Sequence, residues 1–308
     1  MAEITLFEAR EKLRWAEKHF DALWREIKPF EERDDHTIDL NVNRETGEYV
    51  FRVWNLPTPD PDWGLRIGDC LHNARTALDY VMVRLYALAT DHDPRDIEAI
   101  QFPVCDTRDR WNGSPAVQKF RKEPTLSGYL TRVEEMQPFN DNNPSIWGNR
   151  DSIFPNDAFL PMFLEKLSRW DNIDKHRVVH AAWLGAAQYY APTQAPKSYG
   201  HARQTRHPGP FKNGAEIARW EFAAVPLPAE PWEPSEVDMK RQFPLEVAID
   251  EPLPSKGVLW ALPLCFWAVK AVLHIFEPVF AEGAPSLPVT VSNAVPAWKP
   301  HLAEAESR

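Results

Sequence analysis

Hydrophobic residues fall at helical spacing at both ends of the chain. Leu6, Leu13, Phe20, Leu23 and Ile27 recur through 4–32 with charges between them, which predicts one long helix. Residues 36–43 (HTIDLNVN) and 48–55 (EYVFRVWN) instead alternate around RETG, the pattern of a β-hairpin. The Pro-rich PTPDPDWG then leads into a second long helix over about 65–90. IQFPV at 100–104 reads as a short strand or an extended loop, followed by helices near 115–122 and 126–136. Asp157 is placed to cap a helix running to about Trp170, and DNIDKHRVVHAAWL continues it or restarts it to about 185.

From about 184 to 254 prolines become frequent, and EIARWEFAAV and RQFPLEVAI alternate as strands do, with a mobile polar loop ahead of them at 192–213. The last helix, about 259–281, is apolar except for a narrow stripe of Lys270, His274 and Glu277, so it should be largely buried. These elements predict an α+β fold. Long N-terminal, central and C-terminal helices form its core, with an N-terminal β-hairpin and a β insertion at about 184–254. The expected organisation is one domain over 1–283 and a C-terminal tail over 284–308.

Composition narrows the picture. The 35 Lys and Arg residues against 45 Asp and Glu leave a net charge of −10, unlike a protein that coats nucleic acid. Cys70, Cys105 and Cys265 are far apart and odd in number, which reads as thiols in a reducing compartment. MAEITLFEAREKLRW carries charges where a signal peptide needs an apolar run, and the apolar stretch Val258–Val269 is too short to span a bilayer. A cytoplasmic protein without a membrane partner is therefore expected. The 12 glycines form no phosphate loop, and neither GxSxG nor CxxC occurs, so no cofactor is expected. The 13 tryptophans read as core packing, or as a recognition surface in the β insertion.

Two stretches could carry chemistry. On a helix at 68–81, His72, Arg75, Thr76 and Asp79 fall within an arc of about 100°, beside an apolar stripe of Leu71, Leu78, Met82 and Leu85. An imidazole, a guanidinium and a carboxylate on one edge suit acid–base catalysis or phosphate binding. They equally suit a buried network in which Asp79 holds its neighbours and orders helix packing. In RWDNIDKHRVVH, Asp174, His176 and Arg177 form a second acid, base and cation set. His176 and His180, four apart, could also hold a metal, although Arg177 replaces the glutamate of HExxH.

LHNARTALDYV resembles the LHNLRSALDHL motif of an uncharacterised bacterial family common in actinobacteria, and the similarity extends to IQFPV, VEEMQPF and NIDKHR. It covers about 65–281 in outline and implies a helix-dominated fold with an inserted β region. The R-x4-H form of that family motif also looks like the signature of HEPN ribonucleases, which cleave RNA across a dimer. Carried over, Arg75 matches the arginine, but Tyr80 stands where the histidine belongs, so His72 or His176 would have to supply the imidazole. The resemblance implies RNA or another phosphate-bearing ligand as partner, and a homodimer. Three readings follow. The first is a binding or interaction protein with a HEPN-like core and a His/Arg/Asp polar site, a sensor or partner in bacterial defence. The second is a metal-independent, ribonuclease-like hydrolase using His72, Arg75, Asp79, Asp174, His176 and Arg177. The third is a metalloenzyme using His176 and His180.

Overall fold

A computed structural model describes residues 4–33, 35–98, 100–140, 160–176, 181–185, 202–207, 209–222, 245–249 and 257–280. The fold is α+β with a helical core. The chain divides into two compact units. One comprises Met1–Phe20, Gly68–Arg177 and Leu262–Arg308, and the other Asp21–Ile67 and Val178–Ala261.

The first unit is helical. Helix α1, Phe7–Glu31, buries Ala9, Leu13, Ala16 and Phe20 here, the face that its periodicity marks. Helix α2, Pro61–Thr90, buries Leu71, Ala74, Leu78, Met82 and Leu85. Three short helices follow: α3 (Arg108–Gly113), α4 (Pro115–Arg121) and α5 (Ser127–Glu135). Helix α6 is Leu160–His176 and helix α7 is Val258–Phe276.

Helices α1 and α7 meet in this core. Phe20 lies edge-on to Phe266 at 5.8 Å between ring centroids, and Glu17 and Lys270 form an ion pair. The stretch Val258–Phe280 is long and apolar enough to cross a membrane, yet 72% of its most apolar window is buried inside the fold, as expected of a core helix.

The second unit holds the strands: β1 (Thr37–Asn43), β2 (Glu48–Trp54), β3 (Ala181–Gly185), β4 (Ala202–Arg206), β5 (Ala215–Phe222) and β6 (Leu245–Ile249). Four form an antiparallel sheet in the order β1-β2-β5-β4, and β3 pairs with β6. Alternation puts Tyr49, Phe51 and Val53 of β2 beside Trp220 and Phe222 of β5 on the buried face. On the other face Arg219 bonds Glu48 and Glu216. Phe30 stacks on Trp183 and meets Trp63 edge-on, at 5.1 and 4.9 Å between centroids.

Several elements differ from expectation. The helix expected to reach 185 ends at His176, and Ala181–Gly185 is a strand because AAWLG finds a ladder partner in LEVAI. The expected loop at 192–213 contains β4, which pairs with β5 although its own sequence, ARQTR, has no alternation. Helix α2 starts at Pro61, four residues early: the Asp60 carboxylate accepts the Asp62 N–H at 2.9 Å, and proline is tolerated at the first helical position. Helix α3 was not expected; the Thr107 side chain caps it. Asp157, residues 192–201 and 208 of the expected loop, and the tail at 284–308 lie outside the described residues. Of the described tryptophans, Trp15 and Trp54 are exposed, while Trp63, Trp111, Trp170, Trp183, Trp220 and Trp267 are core.

Candidate functional site

The site lies in the helical unit, where α2, α6 and the extended segment 100–105 come together. Its base is a clamp on one peptide. Arg75, only 8% exposed, donates from Nη2 to the Phe102 carbonyl at 2.5 Å. One turn along α2, Asp79 Oδ1 accepts the Phe102 N–H at 2.7 Å. An i, i+4 pair on a helix edge thus satisfies both backbone groups of a residue that belongs to no strand. Arg75 Nη1 lies 3.1 Å from Asp79 Oδ1, an ion pair at an angle too poor for a hydrogen bond. Burial pushes the Asp79 carboxyl up, against the pull of Arg75 and of the Phe102 N–H.

A second clamp holds the same segment from the other side. Gln137, fully buried, donates from Nε2 to the Pro103 carbonyl at 2.9 Å and accepts the Cys105 N–H on Oε1 at 2.8 Å. Sequence reasoning missed Gln137. Its one signal was an amide between two apolar residues in VEEMQPF, where a buried polar group needs partners.

Helix α6 faces the same edge of α2. Its apolar stripe Leu160, Phe163, Leu164 and Leu167 continues, at i+7, onto Asp171 and Asp174. Two carboxylates therefore occupy core-facing positions. Asp171, 1% exposed, places Oδ1 3.4 Å from His72 Nδ1 and Oδ2 2.6 Å from Lys175 Nζ; the second contact is an ion pair outside hydrogen-bond geometry. Asp174 lies against Gly68, where an added Cβ would fall 2.3 Å from Asp174 Oδ1. Only a residue without a side chain admits the carboxylate so closely.

The predicted residues thus separate. His72, Arg75, Asp79 and Asp174 all lie along the α2–α6 seam. The side chain of His176, and Arg177 and His180 altogether, lie outside the described residues, as does the proposed His176–His180 metal pair. Among the described residues no group of three His, Cys, Asp or Glu side chains is placed to hold a metal. Asp171 and Lys175 were not singled out from the sequence; the signal was a charge at the apolar-stripe position and its i+4 partner.

Beside the seam opens a cleft of about 830 Å³, lined by Arg75, Glu98, Arg110, Lys119, Asn172 and Lys175 among others. A second cleft of about 550 Å³ shares Val104, Arg110, Ser168 and Asn172 with it. His72 lines neither, although its side chain is 57% exposed. Cys105 lines the larger cleft with its thiol pushed up by burial, a poor nucleophile. No protein-family model, curated protein or solved structure matches the chain.

Proposed function

We propose that this chain is a cytoplasmic binding protein, with a HEPN-like helical core, that serves as a sensor or partner in a bacterial defence system. The observation that carries the binding reading is the double hydrogen bond from Arg75 and Asp79 to the Phe102 peptide. The two residues best suited to phosphate binding and proton transfer are occupied in shaping a cleft wall. The three cysteines are free and buried, which suits a reducing compartment. RNA or another phosphate-bearing ligand is the partner class, and a homodimer is the working form. The described tryptophan of the β insertion, Trp220, is buried, which favours searching for the binding surface at the cleft.

A second reading, a metal-independent ribonuclease-like hydrolase, has one observation in its favour. An exposed imidazole, His72, is backed by the buried Asp171 carboxylate, the relation that orients a general base. One assay separates the two. The purified protein is incubated with single-stranded RNA in chelator, beside His72→Ala and Asp171→Asn. Intact RNA that comigrates with the protein supports binding. Cleavage that both substitutions abolish overturns it in favour of the hydrolase.

A further inference from the structure

The larger cleft carries a charge pattern that the chain as a whole does not. The protein has a net charge of −10, yet among the described residues this cleft is lined by four cations, Arg75, Arg110, Lys119 and Lys175, and by one carboxylate, Glu98. The cations come from α2, α3, α4 and α6, so four separate elements converge to place them. Their protein partners leave them available in different degrees. Arg110 bonds Asp106 at 2.8 Å and Lys175 pairs with Asp171. Lys119 has no carboxylate partner among the described residues; its ammonium sits 4.9 Å from the Tyr86 ring centroid, a contact that leaves its charge uncompensated. Arg75 is nearly buried and ion-paired with Asp79, and its Nη1 makes no hydrogen bond among the described residues.

We propose that this cleft binds a small phosphorylated molecule bearing hydroxyl or amino donors, of the size and chemistry of a nucleoside monophosphate. The inference rests on the binding reading above and narrows its ligand. Lys119, Lys175 and Arg110 take the phosphate, and Glu98 accepts from the donor groups. The volume, about 830 Å³, lies within the range of small-molecule sites, roughly 300–1,000 Å³. The lining is also prepared in advance. Phe102, Pro103 and Cys105 are held by Arg75, Asp79 and Gln137, so ligand binding need not order that wall. A polymer is less well served. Phe102, itself fully buried, is the one aromatic residue among the described residues of the lining, and single-stranded nucleic acid needs successive stacking surfaces.

The test is calorimetric titration of the full chain with adenosine 5′-monophosphate, ribose 5-phosphate, inorganic phosphate, citrate and a short single-stranded RNA. Saturable binding of a phosphorylated probe and not of citrate is expected. Lys119→Gln and Lys175→Gln should each weaken it about tenfold, the loss of one charge-assisted contact. Glu98→Gln should weaken the sugar-bearing probes and leave inorganic phosphate unchanged. Arg203→Gln, on β4, should change nothing. Thermal melts of each variant confirm that it is folded. If no phosphorylated small molecule binds at millimolar concentration, or if Lys119→Gln binds as well as wild type, the inference is overturned. RNA binding without small-ligand binding would overturn it and leave the binding reading standing. Metal-independent RNA cleavage lost in His72→Ala would remove that reading itself.

Discussion

Arg75 shows how one side chain decides between chemistry and architecture. Its guanidinium is nearly buried and bonded to a main-chain carbonyl, so truncation removes a structural contact. Arg75→Ala leaves the Phe102 carbonyl without its donor and the Asp79 carboxylate without its cation, and should cost about 3–5 kcal/mol in a urea melt. Arg75→Leu with Asp79→Leu removes the unpaired charge but abandons both backbone groups of Phe102. It should therefore recover only part of the loss; full recovery would mean that the peptide clamp contributes little. Gln137→Leu strips partners from Pro103 and Cys105, at about 1–3 kcal/mol for each group left unsatisfied. The α2 edge was readable in sequence because helical spacing puts His72, Arg75 and Asp79 together. Their role was not, because the partner is a backbone peptide 23 residues beyond Asp79, and a main-chain group carries no signature of its own. Asp171 was hidden for a related reason: its charge masks the fact that its position continues an apolar stripe.

At the scale of elements, two close approaches make claims that can be measured. Helices α2 and α6 meet where Gly68 admits Asp174. In an open helix Gly→Ala would gain about 1 kcal/mol, but here the new methyl must displace a carboxylate. Gly68→Ala should therefore stabilise more on an Asp174→Ala background than alone, with a coupling of about 0.5–3 kcal/mol in a double-mutant cycle. Additive effects would mean that the carboxylate moves aside freely.

Within the strand-bearing unit, the end of α1 docks on β6 through Glu31, whose carboxylate accepts the Val247 N–H at 2.7 Å. Burial, with Glu246 nearby, raises the Glu31 carboxyl to about 7, against the pull of that N–H and of Lys28; Glu32 raises it further. A folded-state value above the unfolded one favours the protonated form. The contribution is then complete below the unfolded value of about 4.5 and is lost as pH rises through about 7. Denaturation at pH 5 and pH 8 should show a fall on the order of 3 kcal/mol from this group, and Glu31→Gln should flatten it. Asp79, also raised, adds a dependence of the same sign. An unchanged profile in Glu31→Gln would place the carboxylate in water. The long helices and the hairpin were legible because each carries its own period. Strands β3 and β4 were not: Ala181–Gly185 and Ala202–Arg206 become strands through LEVAI and ARWEF, and five-residue runs have too little period to reveal a distant partner.

Across the whole chain, core and sequence order part company. The helical unit is assembled from Met1–Phe20, Gly68–Arg177 and Leu262–Arg308, so the stretch that ends with α6 holds only part of its core. The missing part is α7, which buries Leu262, Leu264, Cys265, Phe266, Val269, Val272, Ile275 and Phe276. Each fully buried large apolar side chain contributes about 1.5–3 kcal/mol, and a domain's net stability is only about 5–15 kcal/mol. Removing one apolar helix therefore takes away more than the fold has to lose. Phe20 and its neighbours on α1 would also be left facing water where Phe266 had covered them. A chain truncated after Arg177 should bind a hydrophobic dye, melt without a cooperative transition and show collapsed, unspecific packing. The full chain should melt cooperatively, and its α7 amides should be among the slowest to exchange with solvent. A cooperative melt of the truncated chain would show that α1 through α6 close a core by themselves. Helix α7 would then have to be explained by something other than core packing, and its length and apolar character would make a membrane the first alternative to test.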